Sequence, residues 1–203
     1  MLRATGWRVL TTATFAVVAL SCARPLRGPR TATSAPAAPA RSPVTVRREQ
    51  PSDPNVAAIL LAANNTDVSY AKVALAPGHT ENAAVKAFAQ RMLTDHTSVN
   101  QLLTDLFAKA DLTPEDNTTS LDFRDESATK RDILRELSGH AFDTTYMANE
   151  VSYHTKLLSA LDALTPGVRR VPLKQLMTAI RPTVAAHLAH AQQLRATVTG
   201  AAK

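Results

Sequence analysis

The chain has 203 residues, 45% of them hydrophobic, with six Gly and a formal charge of +6, which is enough apolar material for one helical core plus additional segments. The charge is unevenly placed: residues 1–52 hold eight Arg against the single acid Glu49, a balance of +7, and the remaining residues come to −1. Counterion release needs basic charge on the folded surface, so this distribution excludes nucleic acid as the partner of the folded part.

Arg3 and Arg8 precede an uncharged run, Val9 to Ser21 (VLTTATFAVVALS). It is too short to span a bilayer and suits the apolar region of a signal peptide, so residues 1–21 are expected to be an export signal that is removed. The run Val18-Ala19-Leu20-Ser21-Cys22 resembles a bacterial lipobox, with small Ser21 before the cysteine and Ala19 where such boxes most often carry Leu. That resemblance implies that Cys22 becomes a diacylglyceryl-modified amino terminus, and two acyl chains are about what stable anchoring requires. As the single cysteine of the chain, Cys22 has no internal disulfide partner. The expected location is the bacterial cell envelope, at the outer membrane facing the periplasm or the outer face of the cytoplasmic membrane. The lipid anchor makes the membrane a partner, and no protein partner is named by the residues.

Residues 22–52 are rich in Ala, Pro, Arg, Ser and Thr, with Pro at 25, 29, 36, 39, 43 and 51. Proline blocks regular structure and the large apolar residues are too few to offset ordering entropy, so this segment is expected to be a linker. The bundle domain is expected over residues 53–200.

Four long helical patterns follow. The first starts at Asp53-Pro54, read as a cap followed by proline at the first helical position, and runs to about Ala76 before Pro77-Gly78. Its apolar stripe is Val56, Leu60, Ala63, Asp67, Ala71 and Ala74. The second runs from Glu81 to Ala110, capped by Thr80, with Val85, Ala89, Met92, His96, Val99, Leu103, Leu106 and Ala110 at alternating steps of four and three. Asp111 to Glu126 reads as a polar loop and Ser127 to Ser138 as a short helix that continues the connection.

The third long helix spans Gly139 to Leu164, ended by Thr165-Pro166-Gly167, with the stripe Asp143, Met147, Glu150, His154, Leu157, Leu161 and Leu164. The fourth covers about Arg169 to Ala196, with Leu173, Met177, Ile180, Val184, His187, Ala191, Leu194 and Val198 on its stripe and Pro182 expected to kink it.

Asp67, His96, His154 and His187 thus each interrupt the apolar stripe of a different helix, each near its middle. Antiparallel helices of similar length bring their centres to one level, so the pattern predicts one polar cluster at the heart of an all-α four-helix bundle. Glu150 lies one turn from His154 on the same face and Tyr146 two turns away, and either can join it. Asp95, rotated by about 100° from His96, is expected at a helix boundary or in water. His79, His140 and His190 are expected to be solvated, and Met92, Met147 and Met177 to fill the core.

Val85-Lys86-Ala87-Phe88-Ala89-Gln90-Arg91-Met92 with Asp95-His96, Phe142-Asp143 with Tyr146 and His154, and Pro182 with His187-Leu188 together resemble the bacterial domain-of-unknown-function family 4142. The resemblance covers residues 54–198 and implies an exported outer-membrane protein or lipoprotein with a ferritin-like four-helix bundle. Such bundles pair helices one with two and three with four, and the stretch Asp111 to Ser138 is long enough to be the crossover between helices 2 and 3. Asp67 stands where the family is expected to carry Glu.

Ferritin-like di-iron sites use Glu-x-x-His on two helices, whereas Leu93, Val151 and Val184 stand three residues before His96, His154 and His187. One carboxylate and three imidazoles suit a single transition metal ion, Zn, Cu or Fe, better than a carboxylate-bridged pair. Three readings stay open: a satisfied polar core, a metal or redox site of Asp67, His96, His154 and His187 supported by Glu150 or Tyr146, and a structural or interaction module of the cell envelope. No catalytic motif is recognised: phosphate loop, paired-cysteine site, His-Glu-x-x-His and nucleophile elbow are all missing from the sequence. The residues therefore lean away from an enzyme.

Overall fold

A computed structural model describes residues 50–200; the signal segment, Cys22 and all but the end of the linker lie outside the described residues. Five α-helices make up nearly all of this part, and among the described residues there is no strand: α1 (Asp53–Leu75), α2 (Ala83–Ala110), α3 (Thr118–Arg135), α4 (Gly139–Leu164) and α5 (Val171–Gly200). No helix among them is long and apolar enough to cross a membrane. The closest pairs are α1 with α2 and α4 with α5, as expected of a ferritin-like bundle whose two hairpins are joined by one crossover.

The four stripes point inward. Val56, Leu60, Met92, Leu103, Met147, Leu157, Leu161, Leu173, Met177 and Val184 are all buried in one apolar cluster, each contributing on the order of 1.5–3 kcal/mol of transfer free energy. α1 is apolar on more than one face (Ala57, Ile59, Ala62, Tyr70 and Val73 are also buried) because α3 covers the side that α2 and α4 leave open. Its small alanines let the neighbouring helices approach without voids.

The crossover differs from expectation. What reads as a loop from Asp111 to Glu126 and a short helix from Ser127 is one helix that begins at Thr118. Asn117 caps it reciprocally with Ser120, and Phe123 and Leu134 are buried against the bundle. Polar composition obscured the helix because only one narrow edge of it, facing α1, needs to be apolar.

Two caps also move. Ser52, not Asp53, caps α1 in a reciprocal box with Asn55, and the Asp53 carboxylate instead accepts from the backbone N–H groups of Arg169 and Arg170 at 3.0 and 2.7 Å. Asn82, not Thr80, caps α2; buried Thr80 accepts from the Asn82 N–H at 3.1 Å and orients that cap. α2 ends on Asp111 with φ 46°, a left-handed conformation that a short polar side chain tolerates. α5 remains helical on both sides of Pro182.

Candidate metal centre

Asp67, His96, His154 and His187 are all brought to the middle of the bundle, each within about one turn of its helix centre and each at most 3% exposed. Glu150 and Tyr146 on α4 are fully buried beside them. One ring nitrogen each of His96, His154 and His187 lies within 4.8 Å of the other two, and the same holds for one atom each of Asp67, Glu150 and His154. The two groups share His154, so the cluster is continuous across all four long helices.

The outer nitrogen of every imidazole is committed. His96 Nδ1 lies 2.9 Å from Asn64 Oδ1, and Asn64 is oriented by donating its Nδ2–H to the Leu60 carbonyl at 2.8 Å. Oδ1 is therefore an acceptor and His96 Nδ1 the donor. His154 Nδ1 donates to the Glu150 carbonyl oxygen at 3.0 Å. His187 Nε2 donates to Asp95 Oδ2 at 2.9 Å, and Asp95 also receives Arg91 Nε at 3.3 Å.

The inner atoms are uncommitted. His96 Nε2, His154 Nε2, His187 Nδ1, both oxygens of Asp67, both of Glu150 and the Tyr146 hydroxyl are buried without a hydrogen-bond partner. His96 Nε2 and Asp67 Oδ2 are only 2.7 Å apart, in contact but off the line of a hydrogen bond, and His154 Nε2 is 3.8 Å from the same oxygen. Lone pairs so close repel unless a cation or a proton lies among them, and each buried polar atom left unpaired costs on the order of 1–3 kcal/mol.

The electrostatics follow from this crowding. Burial works to raise Asp67, but the positive charge that His96 and His154 offer beside it outweighs burial and brings the carboxyl down to about 2. Burial, then the Asp67 charge, pushes Glu150 well above the carboxylate range. Burial lowers His154 to about 4 against the pull of Asp67, with the charges of His96 and His187 adding to the fall. His187 is likewise lowered, mainly by burial and against the hydrogen bond it donates to Asp95. His154 and His187 are thus neutral near pH 7, the state in which imidazole offers a lone pair. Burial first, then the charges of Glu150 and Asp67, holds the Tyr146 phenol well above its usual value.

Asp95 lies at a helix boundary, as expected, and its carboxylate reaches across to α5 and fixes the His187 ring. Two expectations change, those for His190 and His79. His190 is half-buried with its ring 5.3 Å from Phe88, and His79 donates its Nδ1–H to the Leu137 carbonyl at 2.8 Å with its ring 5.2 Å from Phe142, whereas His140 is exposed as expected. Asn64 is a site residue that the apolar stripes do not single out. It lies three residues before Asp67 on α1 and meets His96 of α2, and its place in the polar run Asn64-Asn65-Thr66-Asp67 hides it among neighbours of the same kind.

None of the curated proteins and none of the solved structures matches the chain. A family model does, starting inside the Pro-rich segment and ending in the last turns of α5. The chain belongs to the family described as a domain of unknown function (DUF4142), whose model matches residues 34–194.

Proposed function

We propose that this domain binds a single transition metal ion through His96, His154, His187 and Asp67, with Glu150 as a fifth donor or as the carboxyl that holds a proton beside it. One observation carries the reading: all three imidazoles hand their outer N–H to an acceptor (Asn64, the Glu150 carbonyl, Asp95) and keep an unpartnered inner nitrogen, among unpartnered carboxylate oxygens. An outer acceptor that sets the tautomer and orients the ring is how metal-ligating histidines are ordinarily supported. Three nitrogens with a carboxylate suit Zn, Cu or Fe, which would supply Lewis acidity or, for the latter two, electron transfer.

The short Asp67–His96 contact favours a second reading, a buried ion pair of a protonated His96 with Asp67 in a polar core. That pair would satisfy two atoms and leave Glu150, His154 Nε2 and His187 Nδ1 unpartnered, so it accounts for less of the cluster.

The sequence supports an envelope setting for this domain: a signal peptide over 1–21, a lipid anchor on Cys22 and a tether to residue 52. The test of the metal reading is elemental analysis of the full chain, purified without a histidine tag, loaded with Zn, Cu and Fe in turn and dialysed. Near-stoichiometric metal that disappears in a His96→Ala/His154→Ala variant is the expected result. A wild-type chain that retains none of the three would overturn the reading in favour of the polar core.

A further inference from the structure

α3 packs along α1, and a cleft of about 170 Å³ opens between the two helices. Asn65, Thr66 and Ser69 line it from α1 and Arg124, Ser127 and Arg131 from α3, with no carboxylate among its lining residues. Arg124 is held bidentately by Asp116, at 2.6 and 2.7 Å. Arg131 differs: it is half-buried, its Nε is buried without an acceptor, and among the described residues its guanidinium makes no ion pair and no hydrogen bond. Its two Nη groups are not buried, so a ligand in the cleft can reach the charge.

The lining decides what the cleft can take. A half-buried guanidinium without an acceptor is costly, and its planar fork suits the paired oxygens of a carboxylate or phosphate. Asn65 adds a donor, because its Oδ1 already accepts from Asn100 at 2.9 Å and its Nδ2 is left over. The hydroxyls do the reverse. Thr66 donates to the Ala62 carbonyl at 2.8 Å and Ser69 to the Thr66 carbonyl at 2.6 Å, so Ser127, 3.2 Å from Ser69, gives its hydrogen to the Ser69 oxygen. All three hydroxyls therefore have only lone pairs left to offer. A ligand that meets both kinds of group is an oxyanion that keeps an O–H. Carboxylate and sulfate carry no hydrogen at neutral pH, whereas hydrogen phosphate does, and the cleft is of a size for an ion rather than for a drug-sized molecule.

We propose that the α1–α3 cleft is a hydrogen phosphate site, with Arg131 and Asn65 donating to the oxygens of the anion and its O–H donating to Ser127 or Ser69. The inference is independent of the metal reading. Ser69 and Asp67 are about 200° apart around α1, and the cleft shares no residue with the metal cluster.

The probe is inorganic phosphate at about pH 8, where a phosphate ester has lost its last hydrogen and the inorganic ion has not. It is titrated in EDTA, against chloride of equal ionic strength, into the full chain carrying Cys22→Ser to prevent acylation, and followed by proton–nitrogen NMR. Saturable shifts at the Arg131 Nε–H and at the Ser69 and Ser127 amides are expected, with sulfate and methyl phosphate binding at least about tenfold more weakly. Arg131→Gln is expected to weaken phosphate binding at least about tenfold. Ser69→Asp, which sets a carboxylate in the cleft beside Arg131, is expected to abolish binding without lowering the melting temperature, which separates loss of the site from loss of the fold. Absence of saturable shifts beyond the chloride control, or binding that survives either substitution, overturns the proposal. Sulfate as tight as phosphate overturns the choice of an anion that keeps its O–H, and methyl phosphate tighter than phosphate overturns the free ion in favour of an ester head group.

Discussion

Asp95 on α2 accepts the Nε2–H of His187 on α5 at 2.9 Å, and this bond leaves Nδ1 as the ring's lone-pair nitrogen, buried without a partner. Loss of the carboxylate frees the ring to rotate and to change tautomer. Asp95→Ala is therefore expected to lower zinc affinity by about 10–100-fold, the usual cost of removing such a support. Competition against a chelator of known affinity measures it. Asp95→Ala also leaves the Nε2–H of buried His187 without its acceptor, so the melting temperature of the metal-free chain should fall as well.

Glu150 sets a pH dependence in the metal-free protein. Its folded value lies well above the ordinary 4.5 because of burial and the adjacent Asp67. A raised group contributes stability that is complete below its unfolded value and is lost as pH rises through the folded one. Glu150→Gln removes that loss, so the variant should gain on wild type as pH rises from 5 to 8, by at most about 1.4 kcal/mol per pH unit. Denaturant unfolding in EDTA at several pH values checks this, and parallel curves would show that Glu150 ionises freely.

His154 acts in the opposite direction. Held down to about 4 from 6.5, it contributes stability that is present above 6.5 and lost as pH falls toward 4, because only the unfolded chain takes up the proton there. His154→Gln should flatten the acid side of the stability profile in EDTA over that window. A profile as steep as wild type would mean that the ring protonates in the folded state.

Metal should stabilise the fold, since the donors converge only when four helices are packed. At a free zinc concentration about a hundredfold above Kd, linkage gives about 2.7 kcal/mol. Scanning calorimetry with and without zinc is expected to show that upward shift in wild type, its reversal by EDTA, and no shift in His96→Ala/His154→Ala.

Phe88 closes the cluster from α2. It is fully buried, with its ring 6.4 Å from Tyr146, 6.5 Å from His154 and 5.3 Å from His190. Phe88→Ala should cost about 3–5 kcal/mol in denaturant unfolding. Leu102→Ser, at an exposed position on α2, should stay within about 0.5 kcal/mol of wild type.

Periodicity alone determined four long helices, their inward faces, and the convergence of Asp67, His96, His154 and His187. A helix of 3.6 residues per turn must place a stripe at steps of three and four on one side, and a polar residue in that stripe must enter the core with it. The first half of the crossover helix α3, Thr118 to Glu126, read as loop because its apolar edge is narrow and its composition polar, so its helical state depends on α1 being there to cover. Only the tertiary structure decided which nitrogen each histidine turns inward. That choice belongs to Asn64, the Glu150 carbonyl and Asp95. Asn64 and Asp95 stand about one turn or less from a cluster residue on their own helix, and each meets a ring carried by another helix. Side-chain pairing between helices depends on their relative rotation and axial shift, and neither is written in the repeat of a single helix.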